Sequence, residues 1–115
     1  MKLATLKIPV ADLERANAFY AVLFEREPVF TAAEFGWTQF DLEGLPLALY
    51  DPSKSNHGGE PGHDLDFHLA SEAIKAVRDR IVPHAPDATI HANADGSRSL
   101  ELSDPDGNKL TIMAA

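Results

Sequence analysis

Histidine and carboxylate side chains are the groups in this sequence that could carry acid–base chemistry. Polar and apolar residues alternate over residues 64–70, so a strand there would present Asp66 and His68 on one face. Glu101 has the matching parity on a second predicted strand, residues 98–103. A histidine beside carboxylates can act as a general base. Such mixed faces are also common without catalysis, so we assign no catalytic residue.

A divalent metal needs about three or four donor side chains, and the sequence brings few of them together. The chain has no cysteine, which excludes thiolate ligands, disulfides and thiol nucleophiles. His63 and His68 would point to opposite faces of one strand, so they cannot bind the same ion. We interpret His57 and His63 as solvated loop residues. His84 and His91 are interpreted as surface residues, whereas His68 either lines a ligand site or lies on a hydrated sheet face.

The single tryptophan offers another candidate contact for a ligand. Trp37 and Gln39 share one face of a predicted strand over residues 37–42. An indole supplies a flat apolar wall with an N–H donor, and the glutamine amide supplies an adaptable hydrogen-bonding neighbour. Alternatively, Trp37 is half-buried in the sheet or in a subunit interface. The predicted ligand contacts are therefore Trp37, Gln39, Asp66, His68 and Glu101.

Composition restricts the possible partners. The net charge is −8 over 115 residues, and no basic stripe is present, which argues against nucleic acid. The same charge favours a neutral or cationic ligand over an anionic one. No apolar run is long enough to cross a bilayer and no secretory signal is recognisable, so the default expectation is a cytoplasmic protein without membrane contact.

The pattern strand–helix–three strands occurs twice. Asp12 and Ser71 are the predicted helix N-caps, about half the chain apart, as an internal duplication requires. Pro28 and Pro83 are predicted to stop the two helices. The predicted fold class is α+β, with two βαβββ modules whose helices cover one sheet face. The predicted strands are residues 2–10, 29–33, 37–42, 46–50, 64–70, 88–92, 98–103 and 109–113. Module one is residues 1–51, the linker 52–62 and module two 63–115.

Two segments carry a resemblance to a known family. Residues 8–20, IPVADLERANAFY, lead from a strand into a helix, and residues 103–110, SDPDGNKL, form a turn between alternating strands. Their order and spacing resemble the vicinal-oxygen-chelate superfamily, which includes glyoxalases, extradiol dioxygenases and bleomycin-resistance proteins. The resemblance covers essentially the whole chain. It implies sheets that curl into an open trough for a ligand, usually with two troughs across a dimer.

The resemblance also indicates where the family's metal ligands would lie, and the chain departs from the pattern there. Thr5 stands where metal-binding members have His or Gln, Asp64 where they have His, and Thr111 where they have Glu. The predicted strand 46–50 carries no carboxylate. One good ligand does not make a site, so we interpret the metal site as lost and expect no cofactor.

Three functions remain open. We favour a metal-free protein that binds a small organic molecule in the trough of a homodimer, as bleomycin-resistance-type members do. The alternative is a metal-dependent lyase, isomerase or dioxygenase with a diverged site around Asp64, His68 and Glu101. The third is a non-catalytic partner module with a vestigial trough. Whether the chain is an enzyme stays undecided; if it is, a glyoxalase-like lyase or a dioxygenase is expected.

Overall fold

Two βαβββ repeats follow one another along the chain. The computed structural model describes residues 1–54 and 58–115. The first repeat comprises β1 (Leu6–Pro9), α1 (Leu13–Phe24), β2 (Phe30–Ala32), β3 (Trp37–Leu42) and β4 (Leu45–Tyr50). The second comprises β5 (Leu69–Ser71), α2 (Ile74–Ile81), β6 (Thr89–Ala92), β7 (Arg98–Ser103) and β8 (Lys109–Ala114). The predicted α+β class is confirmed.

The chain divides into two compact units, unit 1 (residues 1–61) and unit 2 (residues 62–115). Within each, the first strand pairs in parallel with the last, and the remaining pairs are antiparallel. The sheet orders are β1-β4-β3-β2 and β5-β8-β7-β6. The predicted module bounds and the linker 52–62 stay predictions, and residues 55–57 of that linker, including His57, lie outside the described residues.

Helix α1 forms as its sequence predicts. The Asp12 carboxylate accepts a hydrogen bond from the Arg15 N–H at 3.0 Å, which satisfies one of the free donors of the first turn. Apolar side chains at helical spacing are buried against the sheet: Ala16, Phe19, Tyr20 and Leu23. The helix ends at Phe24, where Glu25 adopts a left-handed conformation with φ 52°, before Pro28 is reached.

Each helix covers an apolar sheet face. In unit 1 the Phe24 and Phe40 rings meet edge to face at 5.3 Å, and Leu47 and Leu49 are fully buried beside them. In unit 2 the buried side of α2 carries Ile74, Val77 and Ile81, and the sheet contributes Leu100, Leu102, Leu110 and Ile112. Burying each such side chain contributes about 1.5–3 kcal/mol. Among the described residues, no helix is long and apolar enough to span a membrane.

The prediction of a continuous strand over residues 64–70 is wrong. Asp64 forms an isolated parallel bridge with Lys109, the chain bends at Asp66 and Phe67, and β5 begins only at Leu69. Asp64 pairs with Lys109, and Leu69 pairs with Ile112. Leu69 is five residues after Asp64, whereas Ile112 is only three residues after Lys109. The bend therefore absorbs two extra residues, and an even number leaves the alternation of half-buried and exposed residues intact.

The prediction that Ser71 is the N-cap of the second helix is also wrong. The residue at the N-cap of α2 is Ala73, whose side chain makes no capping bond. The Ser71 hydroxyl instead accepts a hydrogen bond from the Ala73 N–H at 3.0 Å, so it shapes the turn that leads into the helix.

Candidate functional site

The sheet face opposite the helix, here called the distal face, carries the predicted ligand contacts of each unit. Side chains alternate along each strand, and the strand registers align the two repeats with one another. In unit 1 the central positions of the distal face are Trp37, Gln39, Ala48 and Tyr50. In unit 2 they are Ser99, Glu101, Thr111 and Met113.

The distal face of unit 1 is aromatic and substantially buried. Trp37 lies opposite Tyr50 and Gln39 opposite Ala48, so the two predicted contacts share one surface. Tyr50 is 5% exposed, and its hydroxyl donates to the Gly58 carbonyl at 2.6 Å. The Lys7 ammonium lies 4.9 Å from the centre of the Tyr50 ring. Tyr50 could not be predicted as part of this surface, because no sequence pattern links it to the segment after residue 57.

The distal face of unit 2 is polar and forms an open concavity of about 520 Å³. Two predicted contacts, His68 and Glu101, lie in its lining. Asp66 does not: it is exposed at the bend before β5. The ionisable and hydroxyl side chains that line the concavity are Asp64, His68, Asp87, His91, Glu101, Ser103, Lys109 and Thr111.

An imidazole–carboxylate pair lies in this concavity. His91 Nε2 is 3.3 Å from Glu101 Oε2, although the register places His91 directly opposite Ser99 and Glu101 opposite Thr89. The pair is therefore a diagonal contact between β6 and β7. Both side chains are about half exposed. The parity of His91 on its strand can be read from the sequence but the register cannot, so this pair was not predictable.

A buried polar turn holds the segment that carries Asp64. The Asp104 carboxylate accepts hydrogen bonds from the backbone N–H groups of Asp106 and Asn108 and from the Asn108 amide, each at 2.9 Å. Asn108 Oδ1 accepts from the Gly62 N–H at 2.8 Å. Both Asp104 and Asn108 are buried. The SDPDGNKL turn therefore fixes the start of unit 2 beside β8, which brings Asp64 to the concavity.

Negative charge predominates among the lining residues. The carboxylates of Asp64, Asp87 and Glu101 face one ammonium, that of Lys109, which lies 4.0 Å from Asp64 in a highly exposed pair. Such a pair is screened by water and holds the lysine weakly. The surface therefore disfavours an anionic ligand.

A perturbed carboxylate lies elsewhere in unit 2. The Ser97 hydroxyl and N–H donate to Asp95 at 2.6 Å and 2.9 Å, and these bonds hold the pKa of Asp95 below its usual range. Asp95 belongs to the β6–β7 turn and does not line the concavity.

The residues at the metal positions that the resemblance implies do not fit a divalent ion. Thr5 and Thr111 offer neutral hydroxyls, and Asp64 is the one carboxylate among the three. Within residues 1–54 and 58–115, no three histidine or carboxylate side chains come close enough to share an ion. We therefore derive no chemical step through a metal.

The comparisons with known proteins show the fold. No family model and no curated protein matches the chain. A lactoylglutathione lyase from Agrobacterium tumefaciens aligns with a TM-score of 0.81 and 23% identity over 97% of this chain and 92% of that one. A glyoxalase/bleomycin resistance protein/dioxygenase superfamily member from Sphaerobacter thermophilus DSM 20745 aligns at 0.78 and 24%, over 98% and 96%. The chain has the vicinal-oxygen-chelate fold.

A further structure supports this conclusion. The glyoxalase/bleomycin resistance protein from Catenulispora Acidiphila DSM 44928 aligns at a TM-score of 0.72 and 24% identity, over 97% of both chains. The predicted resemblance is thereby confirmed for the vicinal-oxygen-chelate architecture. Activities named for these proteins belong to them, because one fold hosts many functions and the site must be argued from its own residues.

Proposed function

We propose that the protein binds a small organic molecule without a metal, as a homodimer in the cytoplasm. The observation that carries this proposal is the polar concavity of unit 2. Asp64 and Thr111 line it at positions where the fold family's metal-binding members have His and Glu, so a recess is present without the donor set. A recess of about 520 Å³ lies within the range of small-molecule sites.

The proposed ligand is neutral or cationic. Carboxylates outnumber the single ammonium in the lining, so an anion would lose hydration without gaining a compensating charge. Glu101 and His68 supply polar contacts at this surface. In unit 1, Trp37 and Gln39 remain proposed ligand contacts through the indole and the amide, and in unit 2 Asp66 remains a proposed contact from its exposed position.

Elemental analysis is the first experiment. Protein purified without chelator or histidine tag should contain no stoichiometric zinc, nickel or iron, and its native mass should be that of a dimer. Stoichiometric metal would overturn the proposal and favour the alternative, a metal-dependent lyase, isomerase or dioxygenase. That alternative places the metal among Asp64, His68 and Glu101, which line the same concavity but are not close enough to one another to share an ion. It requires that His68→Ala abolish metal uptake.

Ligand binding is tested with a thermal-shift screen of neutral and cationic aromatic compounds. Hits that contact Trp37 should change its fluorescence saturably. Glu101→Gln should weaken cationic hits about tenfold, because a charge-assisted hydrogen bond is replaced by a neutral one. Glu72→Gln is the matched control, since Glu72 is exposed and does not line the concavity. Equal affinities in both variants would remove Glu101 from the site, and no response to any compound would favour the partner-module interpretation.

A further inference from the structure

We propose that residues 1–5, here called the arm, dock onto strand β2 of a second copy of this chain, so that two copies form a dimer by exchanging their arms. The inference deepens the proposed function, which includes a homodimer, and rests on it. It assigns the dimer contact to residues of unit 1 alone.

Strand β2 is an edge strand with exposed apolar residues around it. It ends the sheet order β1-β4-β3-β2, so among the described strands only β3 pairs with it. Val29, Phe30 and Phe35 are 62%, 48% and 65% exposed. Phe30 lies opposite Gln39, which places it on the distal face. An exposed apolar edge of this kind can pair with another extended segment.

A groove of about 480 Å³ lies on the helix side of β2. Its lining includes Ala18 and Ala21 of α1, whose short side chains leave room for an aliphatic stem. The Glu27 carboxylate and the Asn17 amide also line it. Neither makes an ion pair or a hydrogen bond within residues 1–54 and 58–115, and Asn17 Oδ1 is buried. The groove therefore fits a side chain with an aliphatic stem and a cationic hydrogen-bond donor at its end.

The arm has the matching chemistry. It forms neither helix nor strand, and residues 1–4 are exposed. Lys2 makes no ion pair or hydrogen bond within the described part of the chain, and Leu3 is 64% exposed. Successive side chains of an extended segment point to opposite faces. Paired with β2, the arm places Lys2 in the groove, and Met1 and Leu3 on the side of Phe30.

A second copy supplies this arm. The arm of the same chain leaves from β1, at the opposite edge of the sheet, three strand spacings or about 14 Å from β2. Direct contact between two β2 edges would bring exposed Glu27 and Glu34 of both copies together, whereas Lys2 carries the opposite charge. Arg26, the one cation of residues 25–35, donates instead to the Asp41 carbonyl.

Sedimentation equilibrium of the full chain measures the dimer dissociation constant. Leu3→Ser should raise it at least about tenfold, because each dimer loses two apolar contacts. Val82→Ser, at an exposed apolar residue of unit 2, should leave it unchanged. Lys2→Glu should raise it about 3- to 10-fold, and Glu27→Lys in the same chain should restore it. Lys75→Glu makes the same charge change at an exposed position of α2 and should have no such effect.

The contact itself is tested by disulfide trapping, because the chain has no cysteine of its own. Lys2→Cys and Glu27→Cys chains are mixed and oxidised, and we expect a disulfide between the two different chains. The control mixture of Lys2→Cys with Lys75→Cys should form it much more slowly. In the double variant, Lys2→Cys with Glu27→Cys, a disulfide within one chain would overturn the exchange.

The outcomes separate this inference from the proposed function. A wild-type dimer that Leu3→Ser and Lys2→Glu leave unchanged overturns the role of the arm and leaves the homodimer and ligand binding intact. An equal response to Val82→Ser or Lys75→Glu overturns the assignment to β2. A wild-type monomer overturns both the inference and the homodimer.

Discussion

On the helix side of the two sheets, the repeats carry matching apolar residues at matching register positions. Phe40 is paired with Leu47, as Leu102 is with Leu110, and all four are buried. On the distal side the same register pairs Gln39 with Ala48 but Glu101 with Thr111. Packing against a helix restricts the first set to apolar side chains of fitting size, whereas the second set is free of that restriction.

The distal faces of the two units differ in chemistry, one being aromatic and the other polar. Unit 1 has aromatic residues at the pair Trp37–Tyr50, with the Gly58 carbonyl bonded to the tyrosine hydroxyl. Unit 2 has Ser99 and Met113 at the corresponding pair and an exposed polar recess nearby. The difference indicates that packing against the helix keeps the two cores alike, while the distal face of unit 2 is polar and open.

The strongest test of the shared core is a pair of equivalent truncations. Phe40→Ala and Leu102→Ala each remove a buried side chain from the helix side of one sheet, and we expect losses of about 3–5 and 2–5 kcal/mol in the free energy of unfolding. Urea denaturation measures both. The controls are the distal neighbours Gln39→Ala and Glu101→Ala, which should each cost less than about 1 kcal/mol. A distal loss as large as a core loss would contradict the division into two kinds of face.

Most of the fold could be predicted because local sequence patterns indicate the strands, the helices and the turns. Alternation located most strands, the Asp12 cap and apolar spacing located α1, and the turn SDPDGNKL located the last hairpin. The bend at Asp66 and Phe67 escaped prediction because a two-residue insertion preserves the alternation on which strand prediction depends.

The candidate site was less predictable for a physical reason. Side chains from different strands meet according to register, and residue parity alone does not give the register. His68 and Glu101 were placed on one surface by parity, and both line the concavity. The His91–Glu101 contact depends on a diagonal between β6 and β7, and the Tyr50–Gly58 bond depends on how a segment without periodicity returns to the sheet.

The hairpins between the last two strands differ between the two units: the turn of unit 2 is buried and hydrogen-bonded, and that of unit 1 is open. In unit 2, Asn108→Ala removes the acceptor of the Gly62 N–H and a donor to the buried Asp104 carboxylate. We expect a loss of about 1–3 kcal/mol. In unit 1, Gly44 has φ 91° with open space around it, so Gly44→Ala adds only backbone strain, about 1 kcal/mol. Thermal unfolding of both variants gives the ranking, and a smaller effect at Asn108 would show that the polar turn is dispensable.

The smallest expected effect tests whether the segment after residue 57 rests on the distal face of unit 1. Tyr50→Phe removes the donor to the Gly58 carbonyl, and we expect a loss of about 0.5–1.5 kcal/mol. A Cβ at Gly59 would collide with the Tyr50 hydroxyl oxygen, so Gly59→Ala should cost more in the wild type than in Tyr50→Phe. The strain from φ 121° at Gly59 is common to both backgrounds and cancels in the double-mutant cycle. Additive effects would mean that the segment after residue 57 does not contact Tyr50. This segment would then not explain why the distal face is covered in unit 1 and open in unit 2.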